Sequence, residues 1–240
     1  MIDRLAATFL KNTQKSILLL GPRQVGKSTL VRALSPDRII NFAQEEIFLR
    51  YSKDPGLLTR EVEAQIDLKL IVLDEVQRIP SILNSVQAIL DKNINLRCIL
   101  TGSSARKLKR GQANLLPGRI ILQYLDPLNF WEMGPLFDLE KVLQRGALPG
   151  IYLDEKEGLD VLETYSTVYL REEIQAEAIT KNIGQYARFL DIAASVSGEW
   201  INYSKIASDA EIPKETVRRF FTILEDTLLA FRIPSFKPHY

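Results

Sequence analysis

The segment GPRQVGKST, from Gly21 to Thr29, constrains the fold of this chain more than any other feature. It fits the pattern G-x-x-x-x-G-K-[ST] and directly follows the apolar run Ser16–Leu20. A glycine at each end lets the backbone turn so that successive N–H groups point inward, where they bind phosphate at the start of a helix. A strand, this loop and a helix in that order predict a P-loop fold on a parallel sheet.

The side chains of the loop have predicted roles toward a nucleotide. The ammonium group of Lys27 reaches the outer phosphates, and the hydroxyl of Ser28 is a hard oxygen ligand for Mg²⁺. The chain lacks an [NT]-K-x-D segment, the pattern that reads guanine, so ATP is the favoured nucleotide, with Mg²⁺ as its cofactor. The loop residues predicted to bind ATP are Gly21, Pro22, Arg23, Gln24, Val25, Gly26, Lys27, Ser28 and Thr29.

Short apolar runs alternate with helical patterns over residues 1–125, which predicts an α/β domain with a doubly wound, three-layer parallel sheet. The predicted strands are Ser16–Leu20, Arg38–Phe42, Leu70–Asp74, Arg97–Thr101 and Ile120–Tyr124. The predicted helices are Lys27–Leu34, Pro55–Gln65, Ser81–Lys92 and a long helix from Leu159 to Thr180. We expect a P-loop ATPase domain over 1–150, connecting helices over 151–182 and an all-α, winged-helix-like domain over 183–240.

Polar residues end two further predicted strands at the edge where ligands bind in such sheets. Asp74 and Glu75 follow the run LIVL: we predict that Asp74 holds Mg²⁺ through water, and that Glu75 orients and deprotonates the attacking water. Ser103 or Ser104 after the next strand would hydrogen-bond the γ-phosphate or a water. The alternatives are a solvated strand end and an ordinary serine–glycine turn.

Residues 105–119 are basic, with Arg106, Lys107, Lys109, Arg110 and Arg119 and no acidic residue. This segment either contacts phosphates or a partner, or it is a solvated loop face. Arg119 follows Pro117-Gly118 at the start of a predicted strand, and its guanidinium would stabilise transition-state charge in its own subunit or in a neighbouring one. Lys27, Glu75 and Arg119 are therefore the predicted catalytic residues.

The C-terminal segment has the pattern of a helix-turn-helix. A short helix over Lys205–Ala210 is followed by a turn at Ile212-Pro213 and by a helix with Val217, Phe220, Phe221 and Leu224 on one face. A strand-like run, Leu228–Ile233, would form part of a wing. DNA contact is one interpretation, but residues 183–240 contain equal numbers of basic and acidic residues, which favours a structural or protein-contact role.

Composition excludes several other classes. With 31 Lys plus Arg against 30 Asp plus Glu, the net charge of +1 gives no overall attraction to nucleic acid or to an acidic membrane. A single cysteine, Cys98, and a single histidine, His239, exclude a disulfide framework, a cysteine zinc module and a Ser-His-Asp triad. Purely apolar runs of about four residues are too short for a membrane helix, so we expect a cytoplasmic protein without a membrane partner.

Three segments together, GPRQVGKST, LIVLDEVQRIP and ILTGSSARKLKRGQANLLPGR, resemble AAA-type ATPases of the archaeal-ATPase-like branch. The later stretches YLREEI and 201–236 are also similar to that family. The resemblance implies a catalytic-glutamate P-loop fold followed by a winged-helix-like domain of unknown function. It implies that Gly21–Thr29 is Walker A, Asp74 and Glu75 Walker B, Ser103 or Ser104 the sensor, and Arg119 a finger or phosphate-sensing arginine.

The sequence departs from that family in two respects. The family's Leu-Ala-Gly-Arg reads Leu116-Pro117-Gly118-Arg119 here. Similar proteins usually continue into a nuclease-like region, so we expect this chain to be a fragment or a truncated gene product.

Three functions are compatible with these residues. The leading hypothesis is a magnesium-dependent ATPase that acts as a switch or motor on an unidentified protein partner or through self-association. The alternative is an ATP-dependent DNA-binding regulator with little or no hydrolysis. A small-molecule P-loop kinase is the third, although neither an acceptor site nor a lid is evident.

Overall fold

A computed structural model describes residues 2–65, 67–92, 95–104, 118–169 and 183–236. The chain separates into two compact units, Met1–Asp160 and Val161–Tyr240. The finer division that we predicted, with boundaries at residues 150 and 182, stays a prediction.

The first unit is built on a five-stranded sheet in the order β2-β3-β4-β1-β5, in which every paired strand is parallel. All five predicted strands are confirmed, and only the ends of β2 and β4 differ by one residue. The strands are β1 Ser16–Leu20, β2 Arg38–Asn41, β3 Leu70–Asp74, β4 Arg97–Gly102 and β5 Ile120–Tyr124.

Helices connect these strands as the alternating pattern predicts. In the first unit they are α1 Leu5–Asn12, α2 Lys27–Arg32, α3 Glu45–Lys53, α4 Leu57–Glu63, α5 Ile82–Lys92, α6 Phe130–Met133, α7 Leu139–Arg145 and α8 Pro149–Tyr152. The 3-10 turns Val76–Arg78 and Gly134–Leu136 are shorter connections. Helices α1 and α3 were not predicted from the sequence.

The inner strand β1 is buried along its whole length, which requires cover on both faces of the sheet. Ile17 and Leu19 pack against α1 and α2 through Leu10 and Leu30. Side chains alternate along a strand, so Leu18 and the other residues of β1 on the opposite face are buried there as well. This three-layer arrangement positions the segment after β1 at the carboxyl edge of the sheet.

The second unit is helical in the part that the structure describes. Its helices are α10 Ile183–Ser195, α11 Tyr203–Asp209 and α12 Lys214–Asp226. Phe189 and Phe220 are fully buried with their rings in contact, and Val217 and Leu224 join the same core. The two helices, the turn between them and the apolar stripe are therefore confirmed, whereas the winged-helix-like domain stays a prediction.

Two sequence predictions for the later part of the chain need correction or remain open. The predicted strand over Leu228–Ile233 is wrong: these residues are not in a strand, Leu228 has a left-handed backbone, and Phe231 and Ile233 are exposed. The described residues of this unit offer no strand to pair with them, and an unpaired strand leaves its backbone groups without partners. Helix α9 Gly158–Thr164 and a π-helical turn, Tyr165–Tyr169, begin the predicted helix from Leu159 to Thr180, whose remainder lies outside the described residues.

Candidate functional site

The loop between β1 and α2 can be formed only with glycine at its two fixed positions. A Cβ atom on Gly21 would overlap the carbonyl oxygen of Leu125, and the Gly21 N–H donates to the carbonyl of Gly102 at 3.2 Å. Gly26 has φ of 91°, a left-handed conformation that side chains disfavour. The remaining predicted nucleotide-binding residues, Pro22, Arg23, Gln24, Val25 and Thr29, lie in this loop or in the first turn of α2.

The ammonium group of Lys27 lies inside this loop. Its Nζ donates to the carbonyl oxygens of Gly21 and Pro22, each at 2.8 Å, and the residue is only 5% exposed. A buried cation needs close acceptors, and here the loop's own carbonyls provide them. Phosphate oxygens entering the loop would meet a positive charge that is already held in place.

The two predicted metal ligands are brought together although they are far apart in sequence. The Ser28 hydroxyl donates to Oδ1 of Asp74 at 3.1 Å, and Asp74 is almost fully buried at the end of β3. A hydroxyl and a carboxylate are the hard oxygen ligands that Mg²⁺ prefers. The chemistry of this pair therefore fits a magnesium site.

Thr101, at the end of β4, orients both acidic residues, and sequence reasoning missed this role. Its hydroxyl donates to Oδ1 of Asp74 and accepts the backbone N–H of Glu75 at 3.1 Å. Thr101 is fully buried because β4 lies between β1 and β3 in the sheet. A threonine at the end of an apolar strand carries no sequence signal beyond its β propensity.

Glu75 turns the chain out of β3 in a left-handed conformation, with φ of 62°. A non-glycine residue in this region is strained, and such residues concentrate at functional sites. The side-chain amide of Gln77 donates to Oε2 of Glu75 and, at 2.9 Å, to the hydroxyl of Ser103. The predicted water-activating residue and the predicted sensor serine thus share one neighbour, while Ser104 is buried beside them in the chain.

Arg119 is not brought to this edge. Parallel pairing of β1 with β5 aligns Ser16 with Ile120 and Leu20 with Tyr124, so Arg119 lies at the amino edge of the sheet. Its guanidinium forms an ion pair with Asp91 near the end of α5. Within one subunit, Arg119 is therefore on the opposite edge of the sheet from the phosphate loop. The other basic residues predicted with it, at 106–110, lie outside the described residues.

Arg4 supports the loop from the other side, which sequence reasoning also missed. Its guanidinium donates to the carbonyl oxygens of Val25 at 2.6 Å and Asp126 at 2.5 Å, and it forms an ion pair with Glu132 at 3.0 Å. Both charged side chains are at least 90% buried. The sequence gives no signal for this contact, because Arg4 precedes α1, a helix that was not predicted.

A cavity of about 360 Å³ opens beside this arginine. It is lined by residues of α1, by the end of β5 and by the segment that follows β5. Apolar side chains lie next to the polar ones; among the lining residues are Arg4, Leu5, Phe9, Tyr124, Asp126 and Glu132. The cavity is adjacent to the phosphate loop through Arg4, which contacts Val25.

The parallel sheet, the glycine-bounded loop and the acidic strand end define a P-loop nucleotide-binding protein of the α/β class. A family model described as an AAA domain matches residues 13–134, and a model described as a domain of unknown function matches residues 136–240. The AAA model covers more than half of the chain, and the chain belongs to this family. The predicted resemblance is confirmed.

Similar proteins include uncharacterized proteins of Mycobacterium bovis and Mycobacterium tuberculosis, each 25% identical over 220 residues. The match covers 89% of this chain and 48% of each relative, so the chain spans about half the length of these relatives.

Among solved structures, the replication initiator DnaA bound to AMPPCP and single-stranded DNA is 17% identical, with a TM-score of 0.39, covering 92% of this chain and 85% of that one. Domain III of DnaA from Thermotoga maritima is 13% identical, with a TM-score of 0.35, covering 93% and 90%.

Two features are absent from the part of the chain that the structure describes. None of the helices there has the length and apolar character required to cross a bilayer. In the same part of the chain, no three His, Cys, Asp or Glu side chains form a group that could hold a metal.

Proposed function

We propose that this protein is a magnesium-dependent ATPase whose hydrolysis cycle acts as a switch or motor on a protein partner or on further copies of itself. The observation that carries the proposal is the contact chain at the carboxyl edge of the sheet. Ser28 contacts Asp74, Asp74 contacts Thr101, and Thr101 contacts Glu75, directly beside the loop that contains Lys27. These are the groups that phosphoryl transfer to water requires, held on three neighbouring strands and one helix.

Each group has a distinct task. The loop N–H groups and the ammonium of Lys27 would bind the β- and γ-phosphates. Ser28 and Asp74 would hold Mg²⁺, which supplies charge neutralisation for the phosphates. The Glu75 carboxylate would accept a proton from the attacking water, because it lies at the strand end without a cation among the partners that the structure gives its side chain.

Arg119 enters this proposal only through a second subunit. Its position at the amino edge separates it from the loop of its own chain. In an assembly in which one copy places its amino edge against the carboxyl edge of the next, Arg119 would reach the phosphates of its neighbour. A turnover rate per molecule that rises with protein concentration is the expected signature.

The nucleoside would occupy the cavity beside Arg4. The cavity is adjacent to the phosphate loop, and its mixed apolar and polar lining is typical of small-molecule sites. Leu5 and Phe9 of α1 would pack against the base. Competition of ATP with other nucleoside triphosphates for binding would test this placement, since the phosphate loop alone does not distinguish between bases.

The test of the proposed function compares turnover with binding. Glu75→Gln keeps the shape of the side chain but cannot accept the proton, so it should bind ATP and lose turnover by at least about 100-fold. Lys27→Ala should lose affinity instead. Phosphate release from Glu75→Gln at the wild-type rate would reject the assignment of Glu75.

A nucleotide-dependent DNA-binding regulator remains the alternative, because the second unit has helix-turn-helix geometry. Lys214, Arg218 and Arg219 are exposed on α12, although Arg218 is paired with Glu215 on the same helix. Residues 183–240 contain equal numbers of basic and acidic residues, so this part of the chain has no net positive charge to attract DNA phosphates. The ATPase is therefore the function that the observations support better.

A further inference from the structure

Gln77 occupies a place between the two functional strand ends that none of the roles described above accounts for. It lies in the 3-10 turn after β3 and is only 5% exposed. Its side-chain Nε2 donates one hydrogen bond to Oε2 of Glu75 and the other to Oγ of Ser103. Both protons of the amide are thus used on residues at the catalytic edge.

The other end of the same amide is unsatisfied. Gln77 Oε1 is buried and has no hydrogen-bond partner in the part of the chain that the structure describes. A buried carbonyl oxygen without a donor opposes folding and offsets much of the stability that the two hydrogen bonds of the amide contribute. The contacts that the residue does make are both directed at the groups that would handle water and the γ-phosphate.

We propose that Gln77 is the positioning residue for Glu75, and that its amide holds the Glu75 carboxylate at a fixed position relative to the hydroxyl of Ser103. Glu75 itself has a strained, left-handed backbone and needs a fixed side-chain rotamer to present its carboxylate to water. Gln77 provides this restraint and ties it to the strand end that would contact the γ-phosphate. The inference rests on the proposed ATPase and assigns a further residue to the same site.

The test uses the full chain and two variants that separate shape from hydrogen bonding. Gln77→Met keeps the length of the side chain and removes the amide. Gln77→Glu keeps its shape but can donate to Glu75 only while its own carboxyl is protonated. Gln144→Met, at an exposed glutamine of α7, is the matched control for a glutamine-to-methionine change remote from the site.

For Gln77→Met, we expect kcat to fall by at least about tenfold, while KM and the Kd for ADP stay within about threefold of wild type, because only the transition state uses the positioned carboxylate. Binding of ADP with aluminium fluoride and Mg²⁺, measured by calorimetry, should weaken by a similar factor as kcat. The urea midpoint should change little, because the loss of two hydrogen bonds is offset by the removal of an unsatisfied buried oxygen.

For Gln77→Glu, the ratio of its kcat to that of Gln77→Met should fall by at least about fivefold from pH 6 to pH 8.5. A protonated carboxyl donates as the amide does, whereas a second carboxylate repels Glu75. Lys27 and Asp74 are common to both variants, so their titration largely cancels in the ratio. The carboxyl introduced at position 77 and Glu75 titrate as a coupled pair in Gln77→Glu alone, and the ratio follows that pair.

The outcomes separate the inference from the function on which it rests. A wild-type protein that neither binds nor hydrolyses ATP overturns both. A wild-type enzyme whose kcat and aluminium fluoride binding are unchanged in Gln77→Met, or a pH-independent ratio for Gln77→Glu, overturns the positioning role and leaves the ATPase in place. A parallel loss of urea stability and of ADP binding in Gln77→Met would also overturn it, because that pattern marks a structural residue.

Discussion

Replacing Thr101 by valine would remove the hydroxyl that joins the two acidic residues of the candidate site and leave the shape of the side chain nearly unchanged. The hydroxyl donates to the buried carboxylate of Asp74 and accepts the N–H of Glu75. A hydrogen bond to a charged group contributes about 1.5–3 kcal/mol, and an unpaired buried N–H costs about 1–3 kcal/mol. Because the Glu75 contact is only partly buried, we take the lower part of each range and expect a loss of about 3 kcal/mol in the free energy of unfolding.

Cys98 makes it possible to measure this loss in the first unit alone. It is the only cysteine in the chain, it is 2% exposed, and it lies in β4 on the same strand as Thr101. Burial raises the pKa of its thiol to about 12, and a buried thiol reacts only after the strand has opened. The fraction of Cys98 modified by a short pulse of thiol reagent, measured across a urea series, therefore follows unfolding of this sheet.

With a urea dependence of about 2 kcal/mol per molar, the midpoint of Thr101→Val should fall by about 1.5 M. Thr101→Ser is the matched control, because it keeps the hydroxyl and loses one methyl group, which costs about 1 kcal/mol. Equal midpoints for the two variants would refute the reasoning, since the hydroxyl would then contribute nothing to the stability of the site.

Three further predictions concern other contacts. Burial acts to raise the pKa of Glu61, but hydrogen bonds from Tyr51 and Arg38 outweigh it and hold that pKa below 4.5. The stability that Glu61 contributes is therefore complete above pH 4.5 and is lost as the pH falls through the lower pKa of the folded state. The urea midpoint of Glu61→Gln, measured by circular dichroism, should lie below that of wild type by an amount that shrinks on acidification, and a constant difference would contradict this. Arg4→Met should weaken ATP binding at least about threefold by calorimetry, because it frees the carbonyl of Val25, and unchanged affinity would count against support of the loop. In gel-shift titrations we expect no DNA binding by the wild-type chain at physiological salt with or without ATP, given its balanced charge, and ATP-dependent retention would favour the regulator.

The sheet could be predicted because its strands are buried on both faces and therefore appear as continuous apolar runs, as in Leu70–Asp74. Helix α3 was missed because its apolar side, with Ile47, Phe48 and Tyr51, spans little more than one turn and only Tyr51 is fully buried. Helix α1 begins after Arg4 without a side-chain cap, which removes the usual signal for a helix start. The run Leu228–Ile233 was predicted as a strand and is not one, because strand-like composition does not supply a neighbouring strand to pair with.

The residues of the candidate site also differ in how far the sequence predicts them. Lys27, Ser28, Asp74 and Glu75 are recognisable because their spacing along the chain reflects the phosphate loop and the strand end. The roles of Thr101 and Gln77 depend on which strands become neighbours, and a single sequence does not encode that order in any local pattern. The position of Arg119 required the register of β5 against β1, which places it at the far edge.

The contact between Arg4 and the carbonyl of Val25 has a practical consequence for preparing the protein. Proteolytic trimming past Arg4 would remove the guanidinium and with it a hydrogen bond to the backbone of the phosphate loop. Preparations that start at different residues would then differ in affinity for the same ligand although their sheets fold identically.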